Sequence, residues 1–239
     1  AEARFNYISG FTQISEKLVV VADTNNHCMR LIDRTTNKTS QLSGQCGESD
    51  GYEDGCPGRF HYPWSVVIDK RDKNQLLITD IGNAAVRTVD VMSRVIGTFV
   101  KSDSLKNIRG ITQEEKSGDL FITDYHAVYR ITYIQRTVLL ISGSTGWNYG
   151  YSDSTLLDSL FYSPHELIFI TPRSPLVADY DNNKLRLVDM NSDKVTTLSV
   201  TNSLNLPASL LLTNNSLYVG QYQKITQYKC EYNITKLFI

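Results

Sequence analysis

The chain has 239 residues, 41% hydrophobic and 21% charged, with 24 basic and 25 acidic side chains and a formal net charge of −1. That balance excludes a disordered polypeptide and gives no general attraction for nucleic acid. No run approaches the roughly 20 apolar residues that a helix needs to span a bilayer, so direct membrane insertion is not expected.

Taken in chain order, the same pattern comes five times. A short apolar strand, FNYISGFTQI (5–14), is followed by VVVADTNNHCMRLID (19–33) and a closing strand near 38–42. The second copy runs FHYPWSVVID (60–69), LLITDIGNAAVRTVD (76–90) and a strand at 95–99. The third is LKNIRGITQE (105–114), LFITDYHAVYRIT (120–132) and a strand at 137–141. The fourth is FYSPHELIFI (161–170), PLVADYDNNKLRLVD (175–189) and a strand at 194–198, and the fifth is LNLPASLLLT (204–213) with LYVGQYQKITQYK (217–229). Period-2 alternation broken by Asn- and Gly-rich turns, without helical periodicity, reads as four short strands per copy. Four-stranded antiparallel units repeated every 40–50 residues or so are the mark of propeller blades. The fold class expected is an all-β propeller of five blades, a single domain over 1–239, with a six-bladed ring or a fragment of one as the alternative.

In four of the five motifs an Asp ends the apolar strand, Asp23, Asp80, Asp124 and Asp179, with Gly220 in its place in the fifth. Each is expected to accept backbone N–H groups of the turn that follows it, as in an Asx-turn. Arg30, Arg87, Arg130 and Arg186 recur at one place in the third strand, which argues for a repeated structural role.

Four cysteines, Cys28, Cys46, Cys56 and Cys230, permit two disulfides in three connectivities. Cys46 and Cys56 flank one Gly- and Asp-rich loop, so Cys46–Cys56 and Cys28–Cys230 are the expected bridges. Their spacing is not that of a zinc site. Sequons at Asn37, Asn214 and Asn233 fall in turns or on polar strand ends, where a glycan can project. Together these features point to a secreted protein, or to the extracellular part of a surface protein.

The segment Ala22–Asp33, with Asn26 and His27 followed by Cys28 where the pattern has Leu, resembles an NHL repeat. The linkers Gly51–Pro63 and Gly150–Pro164 resemble those between NHL repeats of animal proteins. The resemblance implies a propeller fold and leaves function open, because such propellers include enzymes, receptors and RNA binders.

Aligned repeats put Ser9, Trp64, Arg109, His165 and Ala208 at equivalent places at the start of the innermost strands. The linkers 45–62 and 146–163 are rich in aromatic residues, which suit recognition of a protein or a glycan. Ligand contacts are therefore expected at Tyr52, Trp64, Arg109, Trp147, Tyr149 and His165, in a monomeric extracellular binding module without metal or cofactor. The other reading is a metal-dependent lyase or hydrolase of the central channel. For it the four histidines, His27, His61, His126 and His165, occupy unlike repeat positions, and Glu166 and Asn107 supply only two ligands of a calcium site.

Overall fold

The computed structural model describes residues 4–214 and 216–229. The chain divides into two compact units, Ala1–Gln113 and Glu114–Ile239. In the first unit, β1 (Ile8–Gln13), β2 (Leu18–Asp23), β3 (Cys28–Asp33) and β4 (Lys38–Gly44) form one antiparallel meander. A second is made by β5 (Pro63–Ile68), β6 (Gln75–Asp80), β7 (Ala85–Asp90) and β8 (Ile96–Lys101), and β9 (Ile108–Gln113) ends the unit. The second unit opens with β10 (Leu120–Asp124), β11 (His126–Ile131) and β12 (Val138–Ser144). There follow β13 (Pro164–Thr171), β14 (Ser174–Asp179), β15 (Lys184–Asp189) and β16 (Lys194–Thr197) in one meander. The meander of β17 (Ser209–Thr213), β18 (Ser216–Gln221) and β19 (Lys224–Lys229) comes last among the described residues. The five sequence repeats are thus five antiparallel sheets, and the fold class is a five-bladed β-propeller.

The second strand of each blade is the most apolar, because it is covered on both faces. Val20, Leu76 and Ile78 are fully buried in the first unit, and Leu176, Val177 and Ala178 in the second. Cores form between neighbouring sheets. Met29 and Leu42 of the first blade pack with Phe60, Val66 and Ile96 of the second blade and its linker. In the second unit Leu176 and Leu185 pack with Leu210, Leu217 and Val219.

The repeat aspartates do something other than the expected Asx-turn. Asp80 Oδ1 accepts the backbone N–H of His61, in the linker before the blade, while Oδ2 accepts Asn83 Nδ2 and Arg87 NH1. Asp179 repeats this with the N–H of Tyr162, Asn182 and Arg186, and Asp23 with the N–H of Asn6, Asn26 and Arg30. Each Asp therefore ties the incoming linker to the turn and the third strand of its own blade. The turn contributes an Asn side chain, which reaches the buried carboxylate from outside, where its own N–H groups do not. Asx-turns belong to a later residue, the Asp that ends the third strand of the first, second and fourth blades. Asp33 accepts the N–H of Thr35 and Thr36, Asp90 those of Met92 and Ser93, and Asp189 that of Asn191. Those bonds, led by the Thr35 hydroxyl and N–H, pull the Asp33 carboxyl down to about 2. The third blade departs from the pattern, since Arg130 pairs with Asp119 at 2.5 Å.

The disulfide expectation is corrected. Cys28 is bonded to Cys46, with 5.1 Å between Cα atoms, and Cys56 is a free, exposed thiol. The register explains the pairing. Cys28 opens β3 opposite Gly44, the last residue of β4, so the chain passes Cys28 again two residues later. Cys56 lies instead in a hairpin where Glu53 pairs with Arg59 and Gly55 with Ile96, laid along the edge of β8. Cys230 lies outside the described residues, as does Asn233.

Candidate functional site

Four of the five blades are entered through a residue with left-handed backbone. Tyr7, Tyr62, Ser163 and Leu206 have φ of 61°, 59°, 54° and 50°. Such a conformation is uncommon for residues other than glycine and persists only where neighbours hold it. The holding groups repeat. Tyr62 N–H donates to His27 Nδ1 at 3.2 Å, Ser163 N–H to His126 Nδ1 at 3.3 Å, and Leu206 N–H to Asn183 Oδ1 at 2.7 Å. The acceptor always stands at the junction of the second and third strands of the preceding blade. Hydroxyls add a second tie between blades. Thr24 donates to the carbonyl of Pro63 at 2.8 Å, Thr79 to that of Arg109 at 2.7 Å, and Thr123 to that of His165.

In the first unit these ties create an open cleft of about 340 Å³ lined by Tyr7, Thr24, Asn25, Tyr62, Trp64, Ile81 and Asn107. Every lining side chain is uncharged. The Tyr7 and Trp64 rings are 5.6 Å apart and tilted by 45°, and the Arg109 guanidinium lies 5.5 Å from the Trp64 ring. Tyr7 and Tyr62 are exposed. Ser9 does not face this space freely, because its hydroxyl donates to the Trp64 carbonyl at 2.6 Å.

The other expected residues are placed as follows. Tyr52 stacks over Arg87 at 4.7 Å with Lys101 at 3.8 Å on its ring, and its hydroxyl bonds Thr98 at 2.9 Å. Arg87 also meets Asp54 at 2.6 Å and the carbonyls of Glu53 and Arg59. Tyr151, Asp153, Arg186 and Thr197 repeat this arrangement in the second unit. So Tyr52 anchors its linker to a blade edge, and its counterpart is Tyr151. Trp147 is 87% exposed on a glycine-flanked loop. Tyr149 stacks on Tyr162 at 4.5 Å and on His126 at 4.7 Å. His165 lies parallel to Tyr180 at 3.9 Å.

Beside His165, Glu166 accepts the backbone N–H of Leu210 at 3.0 Å, tying the fourth blade to the fifth. Its side chain is only half-buried by surface, yet the carboxyl is enclosed by packed atoms, and that desolvation pushes it up to about 7 against the Leu210 bond. Among the described residues no three His, Cys, Asp or Glu side chains converge.

Sequence alignment of the repeats found Trp64 and Arg109 but missed Tyr7 and Tyr62. Their shared place, one residue before the first strand, was the available signal.

No protein-family model matches the chain. Among curated proteins it is 22% identical over 251 residues to the Arabidopsis thaliana protein Suppressor of Quenching 1, chloroplastic. That match takes in 90% of this chain but only 24% of the plant protein, so the chain spans about a quarter of the relative's length. Among solved structures, an auxiliary nutrient binding protein from Bacteroides ovatus superposes with a TM-score of 0.74 at 15% identity, over 95% of this chain and 61% of that one. A nidogen/laminin complex gives 0.68 at 11% identity, over 96% and 81%. A streptogramin B lyase gives 0.59 at 12% identity, over 94% and 69%. At such identities the likeness is one of fold, and it places the chain among β-propeller proteins.

Proposed function

We propose that this chain is an extracellular recognition module of the NHL type, and that it binds an uncharged glycan in the Tyr7–Tyr62–Trp64 cleft. The observation that carries the reading is the cleft's make-up, three aromatic rings around an open space with Asn and Thr and no charged lining residue. A sugar presents apolar C–H faces ringed by hydroxyls. Aromatic rings take the first and amides the second, with little entropy lost in rigid side chains. A binding role agrees with two of the structural neighbours, named for nutrient binding and for a laminin complex.

Arg109 backs Trp64 in this reading, while His165, Trp147 and Tyr149 are the proposed contacts of the second unit. The Cys28–Cys46 disulfide supports an oxidising compartment. Asn37 supports it too, as an exposed sequon on the hairpin turn between β3 and β4, where a glycan would clear the fold. Asn214 and Asn233 are proposed as further glycan acceptors, and the module is taken to act as a monomer.

The test is a glycan array probed with protein from a secretory host, followed by calorimetry on any hit. Binding that falls at least tenfold in Trp64→Ala, with an unchanged melting temperature, supports the reading. No hit on the array, or a hit indifferent to Trp64→Ala and Tyr7→Ala, overturns it.

A further inference from the structure

The wall of the cleft rests on a histidine. Tyr62 is held at φ 59°, and the bond to its N–H comes from His27 Nδ1. His27 itself stands in the left-handed region at φ 55°, directly before the disulfide-bonded Cys28. Its ring meets the Tyr62 ring edge-on at 4.7 Å. The carbonyls of His61 and Tyr62 accept the N–H groups of Gly82 and Ile81, so this dipeptide is clamped on its carbonyl side by the second blade. On the amide side of Tyr62 the clamp is an imidazole nitrogen, which accepts only while it carries no proton.

We propose that His27 is the positioning residue of the cleft, and that its protonation releases Tyr62 and weakens ligand binding in mildly acidic medium. The inference rests on the cleft being the binding site as far as ligand affinity goes. The coupling of His27 to Tyr62 stands on geometry alone.

With a proton on Nδ1 the ring turns a donor toward the Tyr62 N–H, so the bond is lost and two donors oppose each other. The charged groups around the ring come from the linker between β4 and β5. Asp50 of the linker favours the protonated form. His61, whose Nε2 is 3.3 Å from Asp50, disfavours it. Tyr62 completes the surroundings, and Cys28 does not titrate. Burial is the largest influence and lowers the imidazole below its ordinary 6.5, which keeps Nδ1 free at neutral pH. The sign follows. A depressed folded value means that the tie is complete at and above the ordinary 6.5 and is lost only as pH falls through the lower folded value.

The fold contains its own control. In the fourth blade the same left-handed place, φ 55°, is held by Asn183, whose amide oxygen accepts the Leu206 N–H. An asparagine therefore serves the tie without titrating, and His27→Asn should keep the geometry and remove the pH dependence.

Two measurements on the full chain separate the possible failures. The first is amide exchange at Tyr62, corrected for intrinsic rates, between pH ~4.5 and ~7.5 in wild type, His27→Asn and His27→Ala. Wild-type protection should fall about fivefold on acidification, the scale of one neutral hydrogen bond. It should stay level in His27→Asn and be low throughout in His27→Ala. The same pH profile in wild type and His27→Asn would overturn the inference.

The second is calorimetric titration with cellotetraose. If it binds, the wild-type Kd should rise with the same profile while that of His27→Asn stays flat. Two flat Kd profiles would overturn the control of affinity. If it does not bind and the exchange result holds, this saccharide and not the positioning is at fault, and the glycan reading goes back to its own test.

Discussion

Asp80 and Arg87 face each other at 2.9 Å with both side chains withdrawn entirely from solvent. Burial pushes the Asp80 carboxyl up to about 6, while Asn83, the His61 N–H and Arg87 act against that. It is therefore ionised at neutral pH with Arg87 as its counterion, and Arg87 in turn also meets Asp54 at 2.6 Å. Asp179 and Arg186 form the same pair at 2.8 Å in the second unit.

Removing Asp80 should leave the buried Arg87 with Asp54 as its remaining carboxylate, and the His61 N–H without its acceptor. Asp80→Ala is expected to cost about 1–3 kcal/mol, the scale of buried donors that lose their acceptor. Urea unfolding measures it. The double variant Asp80→Ala/Arg87→Met should recover part of the loss, because the buried guanidinium that lost one carboxylate is removed with it. If the double variant is no better than the single one, the ion pair is not what the aspartate supports.

Much of this was legible in the sequence. Period-2 strands between Asn-rich turns delivered five sheets, and the recurrence of Asp and Arg at fixed offsets signalled a repeated structural task. The partners of that task were not legible, since Asp80 takes the N–H of His61 from a linker 19 residues earlier. The disulfide was misread for a related reason. Closeness along the chain favoured Cys46 with Cys56, whereas the register of β3 against β4 returns residue 46 to residue 28. The cleft was half visible, because strand alignment reaches Trp64 but not a tyrosine that matters through its backbone conformation.

Tyr52 and Trp64 should separate stability from binding. Tyr52 lies on Arg87 and bonds Thr98, so Tyr52→Ala should lower stability by roughly 1–2 kcal/mol through lost cation–π and packing. Trp64→Ala should weaken the ligand by at least about 1 kcal/mol, the usual scale of an aromatic anchor. Thermal melts and calorimetry on both variants check this. The assignment is reversed if Tyr52→Ala melts like wild type and loses the ligand.

Non-reducing peptide mapping should recover a Cys28–Cys46 peptide and an alkylatable Cys56. The bridge spans 18 residues, a loop for which the chain-entropy model gives about 3 kcal/mol. A Cys28→Ala/Cys46→Ala variant should therefore lose about that much, without exposing Cys56 further. Recovery of a Cys46–Cys56 peptide from folded protein would contradict the register of the first blade.

Glu166 gives a stability change whose sign is fixed by its surroundings. Enclosure favours the neutral acid, and its value is raised from 4.5 to about 7. A raised folded value means that the native state holds a proton which the unfolded chain gives up. The resulting stabilisation is complete below 4.5 and is lost as pH rises through 7. Glu166→Gln keeps an oxygen to accept the Leu210 N–H and carries no charge at any pH. The variant should therefore be more stable than wild type at pH 8, by on the order of 2–3 kcal/mol, and about equal to it near pH 4.5. Denaturant midpoints of the two proteins across that range measure the difference. A wild type that equals or exceeds the variant at pH 8 would mean that the carboxylate is solvated there, or holds a cation worth more than its burial costs.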